Sequence, residues 1–187
     1  MRLFVALQIP PVVRKNLAEF LAVLRALSPQ SRWVRAENLH VTLKFIGEVQ
    51  PEKLGAIRAG LSAVHSDQAV TLDFRGLGFF PDQRRPRVFW AGIEASANLR
   101  QLVSDIDHAL EKLGIPPESR PFSPHLTVAR FEPPGLPEKL RAAIQEITKR
   151  EFGSVAAEEF HLIESKLKPS SAEYTTLETF PFVVAEV

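Results

Sequence analysis

Two tripeptides with the chemistry of an acid–base pair stand out in the chain: His40-Val41-Thr42 and His125-Leu126-Thr127. Each lies in a short segment of β-strand alternation. In Leu39 to Phe45, period two places His40 and Thr42 on one face and Leu39, Val41, Leu43 and Phe45 on the other. In Pro124 to Arg130, His125 and Thr127 share a face opposite Leu126 and Val128. Imidazole has an unperturbed pKa of about 6.5, so two histidines can hold opposite protonation states near neutrality and act as donor and acceptor in one reaction. In-line attack on a phosphate needs that division of labour. A threonine hydroxyl two residues along a strand lies about 6 to 7 Å from its histidine, close enough for one phosphate oxygen to meet the hydroxyl while the reacting oxygens face imidazole. A single such tripeptide reads most simply as a strand histidine satisfied by a neighbour. Two in matched contexts favour a paired site.

Lys44 shares the alternation face of His40 and Thr42 and is a candidate substrate ligand, although a lysine at a strand end commonly extends to water. Arg130 is a second candidate. Strict alternation puts it on the face opposite His125, so it serves a phosphate only if the strand ends or bulges there, or else acts indirectly. Arg84, Arg85 and Arg87 surround Pro86 in a predicted hairpin loop, where Arg85 is a candidate for a bidentate phosphate contact against the plainer reading of a solvated turn. His65, His108 and His161 lack the threonine partner and are assigned surface or structural roles. No histidine pair has metal-ligand spacing, and only Glu48 follows His40 closely, so no metal or other cofactor is expected. Gly76-Leu77-Gly78 lacks the third glycine and lysine of a phosphate loop and reads as a bend between strands. Trp33, Phe45 and Phe122 are expected in the core, with a stacking role open to an aromatic at a cleft rim.

The segments His40 to Val49 (HVTLKFIGEV) and Arg120 to Arg130 (RPFSPHLTVAR) resemble the two signature segments of the two-histidine phosphoesterase superfamily, and within it the bacterial and archaeal RNA 2′,3′-cyclic phosphodiesterases, also described as 2′-5′ RNA ligases. Arg2 to Leu7, Trp33-Val34, Ser165, Leu167 and Tyr174 also fall where that family would put them. The resemblance implies hydrolysis of RNA or nucleoside 2′,3′-cyclic phosphate to a 2′-phosphate. It makes His40 the proton donor, His125 the acceptor, Thr42 and Thr127 holders of the non-bridging oxygens, and Arg130 a phosphate ligand. Run backwards, the same pair would join RNA ends by a 2′-5′ linkage. The alternatives are a non-catalytic RNA or nucleotide-binding module, and a phosphodiesterase for linear 2′-5′ linkages.

Positioning elements can be read from periodicity. Leu3 to Ile9 is a strand apolar on both faces, followed by a helix through Val13, Leu17, Phe20, Leu21, Leu24 and Leu27. A second helix uses Leu54, Ile57, Leu61 and Val64. Strands are predicted at Val70 to Phe74 and Val88 to Ile93. A third helix runs from Leu99 to Leu113, stopped by Gly114 and Pro116. A fourth starts near Pro137-Glu138 with Leu140, Ile144 and Ile147, and strands return at Phe160 to Ile163 and Tyr174 to Phe182. In each half a long helix ends about a dozen residues before a His-x-Thr strand, which suggests duplication. The expected fold is α+β: two similar lobes, each a mainly antiparallel sheet with helices outside, forming a central cleft within one domain spanning 1–187. The facing of the two motif strands is implied by the resemblance.

The net charge of +1 argues against a protein that coats nucleic acid, so contact with RNA should be local. The absence of cysteine excludes disulfides and thiolate chemistry and suits the cytoplasm. Leu3 to Leu7 is too short for a signal-peptide core, and no segment reaches membrane-spanning length. A cytoplasmic monomer acting on RNA ends or nucleotides with 2′,3′-cyclic phosphates, without membrane or metal, is the expectation.

Overall fold

The computed structural model describes residues 1–145, 149–169 and 171–183. Thirteen elements follow one another: β1 (Arg2–Gln8), α1 (Pro11–Leu27), β2 (Arg32–Trp33), β3 (His40–Glu48), α2 (Leu54–Ser62), β4 (Val70–Phe80), β5 (Val88–Ala95), α3 (Asn98–Glu111), β6 (His125–Arg130), α4 (Glu138–Gln145), β7 (Glu151–Ala157), β8 (Glu159–Leu167) and β9 (Ala172–Pro181). They form two antiparallel sheets, ordered β3-β1-β8-β9 and β2-β6-β5-β4-β7. The run β1-α1-β3-α2 recurs as β5-α3-β6-α4, and in both sheets the histidine strand pairs with the strand that precedes its helix. This is the expected α+β fold of two similar lobes.

The helices form where apolar spacing calls for them. Val13, Leu17, Phe20, Leu21 and Leu24 make the buried stripe of α1, which starts with Pro11 at its first turn, where a missing N–H costs nothing. Helix α3 ends as Gly114 turns to φ +80° and the Ile115 N–H reaches back to the Leu110 carbonyl, a closure open to glycine at little cost. α1 lies against β7 and α4, α3 against β3, and α2 against α3 and β9. Each long helix therefore packs on the other repeat's sheet or helix. One hydrophobic cluster accordingly runs through both lobes, from Leu3 and Val41 to Leu126 and Phe152. Val41 and Leu126 are fully buried. Burial of each contributes about 1.5–3 kcal/mol and anchors the strand that carries its histidine.

One expectation changes, one strand is new, and one reading lies partly outside the described residues. Gly76-Leu77-Gly78 lies inside β4: the pairing with β5 shifts between Phe74 and Leu77, and Gly76 takes φ +75°, a bulge within a continuous strand rather than a bend between two. Strand β7 was not foreseen, because Glu151 to Ala157 lacks clean alternation. The fourth helix is described to Gln145, and Ile147 lies outside the described residues. No described helix is long and apolar enough to cross a membrane.

Candidate active site

The two sheets approach each other along β3 and β6. The cleft between them, about 380 Å³, is lined by His40, Thr42, His125, Thr127 and Arg130, together with Arg2, Phe4, Phe45, Arg120 and Tyr174. The structure thus brings both His-x-Thr pairs and Arg130 to one cavity.

Each histidine is held in the same way. The His40 Nδ1 lies 3.0 Å from the Asn38 carbonyl oxygen, and the His125 Nδ1 lies 2.9 Å from that of Ser123, two residues back in both cases. A carbonyl only accepts, so Nδ1 carries the hydrogen and Nε2 is left for chemistry. Rings pack around each imidazole edge to face. Phe4 and Tyr174 stand 6.3 and 5.6 Å from His40, and Phe80 stands 5.1 Å from His125. Burial pushes the His40 pKa below its ordinary value. The bond to Asn38 opposes that shift, and Arg14 and His161 add to it. Tyr174 moves the other way: burial raises its phenol, while Arg2 and Arg130 pull it down.

A bulge decides what else reaches the cleft. Against β1, Ala6 pairs with Thr42 and Val5 with Lys44, leaving Leu43 as the extra residue. Against β5, Trp90 pairs with Thr127 and Phe89 with Ala129, leaving Val128 extra. Both motif strands insert one residue immediately after the threonine, which reverses the alternation of the residues that follow, in β3 as far as a second shift at Ile46. Burial follows the same sequence in both, with residues four and five of each motif buried and residue six exposed. Arg130 is thereby rotated onto the His125 face, which resolves its placement in favour of the bulge.

The same reversal overturns two expectations on β3. Phe45, expected in the core, is 58% exposed and lies in the cleft against Phe4. Lys44, expected on the His40 face as a candidate substrate ligand or else reaching to water, is 2% exposed, with its ammonium turned toward α3. Its ammonium donates to the Pro116 carbonyl at 2.7 Å and lies 2.7 Å from the Asp107 carboxylate, a close but poorly directed ion pair. It borders the cleft, but its charge is committed to the segment between α3 and β6. Arg85 is on the β4–β5 hairpin loop and is not among the residues lining the cleft.

Sequence reasoning did not select Arg2 and Arg120 as site residues. With Arg130 they leave the cleft electropositive, because Asp107 is matched by Lys44 and Glu118 is the one other carboxylate among the described residues of the lining. Alternation along β1, which puts Arg2 with Phe4 and Ala6, could have found the first. Phe122 is half-buried at the cleft wall, and Trp33 packs on Phe89 with its indole N–H bonded to the Ser28 carbonyl. His161 is structural: buried, its Nδ1 is 3.1 Å from the Thr179 hydroxyl, and Glu159 lies 3.4 Å from its Nε2. His65 and His108 are exposed. Among the described residues no three His, Cys, Asp or Glu side chains converge as a metal site.

A family model described as LigT-like phosphoesterase matches residues 7–90 and 93–174. The RNA 2′,3′-cyclic phosphodiesterase of Methanothermobacter thermautotrophicus is 34% identical over 180 residues, covering 96% of this chain and 97% of that one. Among solved structures, the protein TT0787 of Thermus thermophilus superposes with a TM-score of 0.80 at 30% identity, covering 100% of both chains. LigT of E. coli, complexed with 3′-AMP, gives 0.77 at 28% identity over 97% of each.

Proposed function

The chain belongs to the LigT-like phosphoesterase family, and from that premise we propose that it opens ribose 2′,3′-cyclic phosphates at RNA ends with His40 and His125 as its acid and base. The observation that carries the reading is the matched fixation of two imidazoles by carbonyls two residues back, with both rings lining one electropositive cleft. His125 Nε2 takes a proton from water as the water oxygen bonds to phosphorus. The bond from phosphorus to O3′ breaks, and His40 Nε2 delivers its proton to O3′, leaving the phosphate on O2′. Thr42 and Thr127 donate to non-bridging oxygens, and Arg130 offsets the charge that builds on them.

Burial disfavours the protonated form of His40 in the free protein, and an anionic phosphate entering the cleft favours it again, so the donor's part is taken up when substrate binds. With an RNA 5′-hydroxyl replacing water, the same steps form a 2′-5′ linkage. Water is abundant and RNA ends are dilute, so hydrolysis dominates. The same reading has the protein acting as a cytoplasmic monomer, which light scattering on the purified chain and cell fractionation test.

The deciding experiment is incubation with a nucleoside 2′,3′-cyclic monophosphate, the products being separated by phosphorus NMR. Turnover to the 2′-monophosphate is expected. Saturable binding without product would make the protein a binding module, and a predominant 3′-monophosphate would overturn the placement of His40 against O3′.

A further inference from the structure

Both ends of the β4–β5 hairpin touch the site. Phe80, the last residue of β4, packs against His125 and, at 5.4 Å, against Trp90. Val88, the first residue of β5, pairs with Arg130. Between them, residues 81–87 present Arg84, Arg85 and Arg87, all exposed. The loop is held rather than loose. Asp82 Oδ1 accepts from the backbone N–H groups of Arg84 and Arg85 at 2.7 and 3.2 Å, and the Arg87 N–H reaches the Phe80 carbonyl at 2.8 Å. Pro86 is buried, its carbonyl accepts from Gly135 at 3.1 Å, and the Arg87 carbonyl accepts from Phe131 at 2.9 Å.

The carboxylates around this loop are occupied. Asp82, the loop's one acid, binds the loop's own backbone. Glu132 pairs with Arg32 at 3.0 Å and Glu138 with Arg141 at 3.9 Å. Among the described residues no carboxylate lies within ion-pair distance of Arg84, Arg85 or Arg87, so the rim beside His125 keeps a net positive charge on a preorganised backbone. The cavity on the α3 side of the cleft is different. It is lined by Arg100 and His108, but also by Asp107 and Glu111, a mixed set that offers a polyanion little attraction.

A strand whose cyclic phosphate sits between the histidines must leave the cleft across some rim, carrying one negative charge per nucleotide. We propose that the 81–87 hairpin is a second nucleic-acid subsite. It takes the backbone phosphates 5′ to the reacting end of a single-stranded RNA on Arg84, Arg85 and Arg87, with Phe80, 37% exposed, beneath a base. The inference rests on the proposed activity and adds where the strand 5′ to the reacting end is held, outside the catalytic cleft.

The test compares the wild-type chain with R84Q/R85Q/R87Q and with a charge-matched control, K15Q/R25Q/K53Q, whose exposed residues lie elsewhere. Binding of a ten-nucleotide RNA ending in a 2′-phosphate is followed by fluorescence anisotropy across a salt series, and kcat/KM is measured on a cyclic mononucleotide. Wild type and control should bind the RNA at least tenfold more tightly than the hairpin variant. The slope of log Kd against log salt should become shallower by about 2 in that variant, since each phosphate contact on a single strand contributes about 0.7. Turnover of the mononucleotide should change less than twofold. Equal RNA affinity and slope in wild type and hairpin variant would overturn the proposal, as would an equal loss in the control. Failure of the wild-type chain to turn over the mononucleotide would sink the catalytic reading instead, while the binding comparison would still judge the hairpin.

Discussion

Replacing Lys44 by methionine keeps the apolar stem and removes the ammonium, and the structure sets what that should cost. The Lys44 side chain is 1% exposed and Asp107 is 19% exposed, so the substitution leaves a largely desolvated carboxylate without its counter-charge and the Pro116 carbonyl without its donor. Removing one member of a buried ion pair destabilises by about 3–5 kcal/mol. The low end applies, because Asp107 keeps some contact with water and the pair is poorly directed. About 3 kcal/mol corresponds to about a hundredfold in the folding equilibrium, and to a Tm lower by about 6–12 °C in a chain of this size. Urea unfolding followed by circular dichroism measures it. Adding D107L to K44M should restore most of the loss, since replacing both charges by apolar groups is close to neutral. Activity at a temperature where K44M is folded should fall less than tenfold, because the ammonium is not free to meet a phosphate. A K44M variant within about 0.5 kcal/mol of wild type would refute the energetic reasoning. Unchanged stability with a hundredfold loss of turnover would return Lys44 to the substrate.

H40A and H125A should each lower kcat by about 10²-fold or more, with the double variant costing far less than the product of the two. T42A and T127A should lose less, and a chelator should leave the rate unchanged; near-normal activity in either histidine variant would end the assignment. Rate against pH should be bell-shaped, its limbs belonging to the imidazole pair jointly, and a monotonic profile would contradict it. Stability also carries a sign. His40 and His161 have folded pKa values lowered by burial, so between those values and the unfolded 6.5 the unfolded chain binds more protons, and unfolding free energy rises with pH there. Urea midpoints should therefore fall on acidification below about 6.5, less steeply in H161Q; an unchanged slope in H161Q would refute its share.

Local residue order was enough for what depends on neighbours along the chain. Alternation paired His40 with Thr42 and His125 with Thr127, the 3.6-residue spacing of apolar side chains marked all four helices, and the two motifs carried the family resemblance. Pairing between distant strands decided the rest. Whether Leu43 and Val128 are extra residues depends on Ala6, Val5, Trp90 and Phe89 across the ladder. No reading of β3 or β6 alone could tell that Phe45 and Arg130 turn into the cleft while Lys44 turns away. β7 escaped notice for a related reason: its place in the sheet comes from pairing with β4 and from the helix α1 laid against it, not from its own pattern. Chemistry was written in residue types at short spacing, but charge placement followed register, because a one-residue bulge moves every later side chain to the opposite face.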